Sequence, residues 1–263
     1  MGITIQDVIN QLIEPVGILE ETVDTLKFGS PKTEVSGIAV AFMPTCDVIK
    51  EAIRLGTNLL ITHEGVFFSH WDKSNSFQGV VYDEKYKLIN DSGLAIFRFH
   101  DYIHQYKPDG ITHGLLSSLE WEPYVEKIFP VATVLKFPKL SVREIAEHVK
   151  QKLELNFVRI VGNTSMEVTR VGVFCGFRGG GNQVIPLMEE ESLDLVIYGE
   201  GHEWEAPEYV RDSNAIGKEK ALIILGHAES EEPGMRYVTK ELKQLFPLLP
   251  IHFIPNKPNF KVV

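Results

Sequence analysis

The chain has 263 residues, 44% of them apolar and 24% charged, with a formal net charge of −10. That is the composition of an ordinary soluble globular protein, and the acidic balance disfavours nucleic acid and anionic membrane as partners. No apolar run approaches the ~20 residues needed to span a bilayer, and the start Met1–Asp7 lacks the basic-then-apolar pattern of a secretory leader. The two cysteines, Cys46 and Cys175, sit among apolar neighbours and read as small core fillers, so a cytoplasmic setting is expected.

In chain order, apolar residues at Ile5, Val8, Ile9, Leu12 and Ile13 have helical spacing behind a Thr4 cap. Ser36–Phe42 reads as a strand, Thr45–Leu55 as a helix stopped by Gly56, and Leu59–His63 as a second, parallel strand. Val66–Gly79 is aromatic and polar (Phe67, Phe68, His70, Trp71, Phe77) without a period, which suits an ordered loop or lid. A helix over Val80–Asn90 leads to a strand ending at His100, and a short helix follows over Ile111–Leu119. Strands are expected at Pro130–Phe137 and Phe157–Val161, flanking a helix that Ser141 and Glu144 open as a capping box.

The second half then repeats the first. Val168–Phe174 resembles Val35–Val40, and Leu195–Gly201 parallels Leu59–Gly65. The strand Leu222–Leu225, running into His227, is the counterpart of the one ending at His100. A helix from Pro233 to Leu245 and a strand over Ile251–Ile254 close the chain. The pattern predicts an α/β protein of two similar lobes from an internal duplication, about 1–125 and 130–263, with a cleft at the strand carboxyl ends.

Those strand ends carry chemistry. One delivers His63 and Glu64, a second His100 and His104, a third His227 and Glu231, the last two pairs at the i, i+4 spacing that puts both side chains on one helical face. Four imidazoles and two carboxylates suit zinc, iron, manganese, cobalt or nickel. For the glutamates of the late stretch, a plain helix-dipole role competes with ligation. Glu200, His202 and Glu203, at the end of the strand in the second half, are candidate proton-handling groups, with a supporting or capping role equally open. The turn Cys175–Asn182 can form an anion nest beside Arg178, although a purely conformational role is the stronger reading. His113 is a candidate supporting residue; His70, His148 and His252 have no such context and read as ordinary positions.

The run Leu59–Glu64, the His100-x-x-x-His104 spacing and the late Gly226-His227-x-x-x-Glu231, with Cys175-Gly176 and Tyr198-Gly199-Glu200, resemble the dinuclear metal-centre hexameric protein family. Its members are named GTP cyclohydrolase 1 type 2 homologues or interacting-factor-three-like proteins. The resemblance covers nearly the whole chain. It implies a two-lobed α/β fold, a toroidal hexamer and two divalent metal ions held by His63, Glu64, His100, His104, His227 and Glu231, with Glu231 bridging. Two positions depart from the family pattern: Glu64 stands where a histidine is usual and His104 where an aspartate is usual. The resemblance places both on one ion, which predicts a compensated swap.

Two close metal ions bring the pKa of bound water to about 7 and polarise the bond being cleaved. The chain is therefore expected to be a metal-dependent hydrolase of cyclohydrolase or phosphoesterase type, acting on a small molecule such as a nucleotide or phosphoester. The alternative is a non-enzymatic metal-binding or regulatory protein acting through partner contacts, whose metal site would be coordinatively closed.

Overall fold

The fold was obtained as a computed structural model, which describes residues 2–71 and 78–263. Phe77 lies outside the described residues. Thr4 caps the first helix as the spacing predicts: its hydroxyl accepts from the Asp7 N–H, and the Asp7 carboxylate accepts from the Thr4 N–H at 2.8 Å. This helix, α1, spans Ile5–Ile13 and buries Ile5, Val8, Ile9 and Leu12. There follow β1 (Leu26–Phe28), β2 (Ile38–Ala41), α2 (Cys46–Arg54), β3 (Leu59–Thr62), α3 (Val80–Ser92), β4 (Ala95–Arg98), α4 (Asp101–Gln105) and α5 (Gly110–Ser118). The second half supplies β5 (Val125–Ile128), β6 (Thr133–Ser141), α6 (Val142–Leu153), β7 (Arg159–Val161) and β8 (Glu167–Phe174). It continues with α7 (Gly181–Glu190), β9 (Leu195–Tyr198), α8 (Ala206–Ala215), β10 (Ala221–Ile224), α9 (His227–Leu245) and β11 (Ile251–Phe253).

The strands form two sheets, of order β1-β4-β3-β2-β11 and β5-β6-β8-β9-β10-β7. Each has the same three-stranded parallel heart. In the first, Ile38 pairs with Leu59 and Leu59 with Ala95; in the second, Val171 pairs with Leu195 and Leu195 with Ala221. Every residue of β2, β3, β4, β9 and β10 is buried, the continuous apolar pattern of parallel strands covered on both faces. This is the mixed α/β architecture with two similar lobes that the internal repeat predicts.

Three features differ from the sequence reading. The short strands β1 and β5 pair antiparallel with β4 and β6, and neither has the length or alternation that marks a strand locally. Helix α9 begins at His227, six residues before Pro233; the proline is carried inside the helix, where it has no N–H to give the Glu229 carbonyl. The last strand, expected with the second half, joins the first sheet parallel to β2, with Ile251 opposite Ile38. The chain accordingly divides into two compact units, Met1–Gly110 with Met235–Phe260, and Ile111–Gly234 with Lys261–Val263. Among the described residues no helix is long and apolar enough to cross a membrane.

Candidate metal centre

In the first unit, the parallel strands β3 and β4 stop at one level and hand the chain to polar residues. His63 follows β3 directly, its N–H donating to the Phe42 carbonyl at 3.0 Å, and its ring is wholly buried. His100 follows β4 and stands at the start of α4; one turn later comes His104. The spacing of four therefore does put both rings on one side, through a helix of only five residues. Ring centroids lie 4.4 Å apart for His63 and His100, 5.1 Å for His63 and His104, and 5.0 Å for His100 and His104. One nitrogen from each falls within 4.8 Å of the other two, so this trio can hold a metal ion.

The partners of the other ring nitrogens decide whether the trio fits a metal. Nδ1 of His63 faces the Phe99 carbonyl at 3.2 Å, Nδ1 of His100 the Asp101 carboxylate at 2.9 Å, and Nδ1 of His104 the Asp109 carboxylate at 3.0 Å. Carbonyl and carboxylate oxygens accept hydrogen bonds only, so each Nδ1 carries the proton and each Nε2 keeps its lone pair. This is the arrangement that orients metal-binding imidazoles. The donor set fits a divalent cation of the zinc or iron kind.

Asp101 is itself tightly held. Burial alone pushes its carboxyl up, but hydrogen bonds from the His100 ring, the Val23 N–H and the Thr22 hydroxyl outweigh this and hold it well below the usual carboxylate range. Asp24, buried behind it, is shifted up by burial even though the N–H groups of Tyr102 and His100 donate to it at 2.9 and 2.7 Å. These two aspartates anchor the backbone that carries His100.

Glu64 stands at the edge of this trio, within ligand distance of both His63 and His100. It groups with His70 and His100 as a second set of possible ligands, whereas His104 groups with His63 and His100. Its carboxylate accepts from the Arg98 Nη2 at 3.2 Å, and Arg98 is completely buried. His70, read from sequence as ordinary, is drawn in here: its ring meets His100 at 4.9 Å. Burial, with His100 and Arg98 beside it, holds His70 below the usual imidazole value. The available signal was Arg98 itself, a charge inside an apolar strand that has to find acceptors when buried. The segment beyond Glu64 starts out pinned, since Lys85 donates to the Val66 carbonyl at 2.5 Å and lies over the Phe67 and Phe68 rings at 5.7 and 5.4 Å. Phe67 is buried against Phe28, Tyr82 and Tyr86, whereas Phe68 and Trp71 are exposed.

The second unit presents the corresponding end of its own sheet. His227 opens α9 after β10; its Nδ1 lies 3.0 Å from the Glu200 carboxylate, and its Nε2 lies 3.1 Å from the Glu231 carboxylate one turn on. Glu200 fixes the proton on Nδ1, which leaves the Nε2 lone pair facing a carboxylate oxygen; a cation or proton between the two is what makes that approach favourable. Gly176 closes the other side. Its φ is +58°, and a Cβ there would lie 2.0 Å from Glu231 Oε1 and 3.2 Å from His227 Nε2, so only glycine leaves room.

Glu200 touches His227. His202 stacks on Trp204 at 4.5 Å, and Glu203 pairs with Arg159 at 2.7 Å. The glycine-rich turn serves close packing: a Cβ on Gly179 would meet the Tyr198 ring and the Glu200 carbonyl at 2.5 Å. The first N–H of α7, on Gly181, already donates to the Glu205 carboxylate at 2.6 Å, so the chain fills that helix start with its own anion. His148 bonds the Leu119 carbonyl at 2.8 Å and stacks on Trp121, a packing role.

A family model described as Duf34/NIF3 (NGG1p interacting factor 3) matches residues 4–259. A Clostridium acetobutylicum protein named GTP cyclohydrolase 1 type 2 homolog is 22% identical over 255 residues, covering 92% of this chain and 91% of its own. Among solved structures, hypothetical protein SA1388 of Staphylococcus aureus superposes with a TM-score of 0.78 at 17% identity, and a Bacillus cereus protein related to NIF3 with 0.78 at 16%. Each covers 100% of both chains. At such identity the structures establish the fold alone.

Proposed function

Because the chain belongs to the Duf34/NIF3 family, we propose that it is a divalent-metal-dependent hydrolase acting on a small molecule, with His63, His100 and His104 as the heart of its metal centre. The observation that carries this is the orientation of the trio: three buried or half-buried rings, each with Nδ1 facing an oxygen acceptor, which puts the proton on Nδ1 and the lone pair on Nε2. A divalent ion held there supplies Lewis acidity, polarising a carbonyl, phosphoryl or ring C=N group toward attack by water. His227 and Glu231 form a second donor pair, and two ions per chain are the expected complement. Glu200 in this reading orients His227. His202 and Glu203 remain the candidates for moving protons at the substrate.

The name shared by the sequence relatives, GTP cyclohydrolase 1 type 2 homolog, directs the substrate search to nucleotides first and phosphoesters second. The test is metal content after purification without chelator, followed by turnover on a nucleotide and phosphoester panel with and without the metal found. Bound metal, with hydrolysis abolished in both His63→Ala and Glu231→Gln, supports the reading. Metal binding without turnover of any panel member would move the assignment to a metal-binding or regulatory protein.

A further inference from the structure

Arg98 is the only charged residue of β4, and its side chain has no exposed surface. A guanidinium stays protonated in a protein and can only donate, so the groups around it reveal what it does. Nε donates to the His63 carbonyl at 3.2 Å and Nη1 to the His70 carbonyl. Nη2 donates to Glu64 Oε2 at 3.2 Å and faces His70 Nδ1, also at 3.2 Å. That last contact runs opposite to those of the metal-facing trio. There, Nδ1 donates to an oxygen and Nε2 keeps a lone pair. In His70, Nδ1 accepts from a cation, so the ring proton resides on Nε2 and that nitrogen has no lone pair for a metal. Of the three residues grouped around Glu64, His100 and Glu64 can ligate and His70 cannot.

We propose that Arg98 is a positioning residue which makes a carboxylate workable at position 64 and keeps His70 outside the coordination shell as an N–H donor. Glutamate has three rotatable side-chain bonds, and a free carboxylate beside three histidines would sample many poses. Arg98 fixes one carboxylate oxygen, sets the direction of the other, and offsets the charge of a carboxylate whose side chain is only 12% exposed. The same guanidinium, through the His70 carbonyl and ring, holds the Nε2–H of His70 next to His100, where it can donate to an anionic or carbonyl group of a bound molecule. The proposal rests on the metal-centre reading above. It adds that the partner of the unusual glutamate is the arginine of the neighbouring strand.

The test uses the full chain and Zn2+ as the probe, with affinity measured by chelator competition. Arg98→Gln should weaken Zn2+ binding by about tenfold or more, with Arg98→Lys recovering part of the loss. In an E64H background, where no carboxylate needs holding, the cost of Arg98→Gln should fall to about twofold or less. An equal cost in both backgrounds, or none in either, overturns the proposal. Since Arg98→Gln also unburdens a buried ion pair and can unfold the chain, imidazole nitrogen NMR on the unaltered protein gives an independent readout. It should place the His70 proton on Nε2 with and without Zn2+; a proton on Nδ1, or loss of Nε2–H on adding Zn2+, overturns it equally. His63→Ala separates the two readings. If it binds Zn2+ as the unaltered chain does, the metal centre itself fails; if it loses Zn2+ while the arginine or NMR results come out wrong, only the role of Arg98 fails.

Discussion

Asp109 shows how far single residues outside the donor set control it. Its carboxylate holds His104 Nδ1 at 3.0 Å and thereby decides which nitrogen is offered to a ligand. Asp109→Ala should weaken metal binding by about 10–100-fold while leaving the fold intact, measured by chelator competition and far-UV circular dichroism. Asp101 makes a pH prediction for the metal-free chain. Its folded pKa lies below the unfolded value of about 3.9, so the stability it contributes is fully present above that value. That contribution is lost as pH falls from there toward the folded pKa. Urea unfolding between pH 6 and pH 3 should therefore show a steeper loss of stability in the unaltered chain than in Asp101→Asn. Equal slopes would show that the His100, Val23 and Thr22 hydrogen bonds do not favour the charged form. At this scale the sequence was partly legible. His63, His100, His104 and His227 stand at strand ends that can be seen locally, but nothing near Arg98 in the chain says that it reaches Glu64 and His70.

At the scale of elements, short caps and one glycine carry defined loads. Helix α6 starts with a full capping box, Ser141 and Glu144 each bonding the other's backbone. Ser141→Ala should cost about 1 kcal/mol, read as a lowered melting temperature, without changing metal affinity. Gly176 is the opposite case. Gly176→Ala places a side chain in left-handed backbone at a cost of about 1–2 kcal/mol, and drives a Cβ against Glu231. Metal binding at His227 and Glu231 should be lost before stability is; retention of full affinity would mean that the glycine is not part of the cradle. The capping boxes were readable because they span four residues. The beginning of α9 at His227 was readable in part, since the i, i+4 spacing of His227 and Glu231 fits one helical face while Pro233 is locally a start signal; in the structure the preceding turn, with the Ser230 hydroxyl accepting from the Gly176 N–H at 2.9 Å, belongs to the helix.

For the whole molecule, the consequential feature is the return of the chain to its first sheet. Strand β11 pairs with β2, and Ile251 and Ile254 are each 5% exposed, which contributes roughly 1.5–3 kcal/mol per side chain. A chain ending at residue 249 should therefore lose hydrogen-exchange protection in Ile38–Ala41 while keeping it in Val171–Phe174, whose sheet contains no part of the removed segment. Equal loss in both would mean that the two sheets do not unfold as separate units. Light scattering checks the assembly that the family resemblance leads one to expect, six copies of the chain.

The sequence by itself determined the alternation of buried strands and amphipathic helices, the internal repeat, and the delivery of a histidine at each of three strand ends. The strands, helices and strand-end histidines are each written in a run of ten or so residues, where period and composition suffice, and the repeat shows when such runs are compared. Tertiary structure alone decided that β11 completes the first sheet, parallel to β2. It also decided that a buried arginine on β4 gathers Glu64 and His70. These depend on pairings between segments from 28 to more than 200 residues apart, and such partners are chosen by packing and by the need of buried charges for acceptors, which no local pattern records.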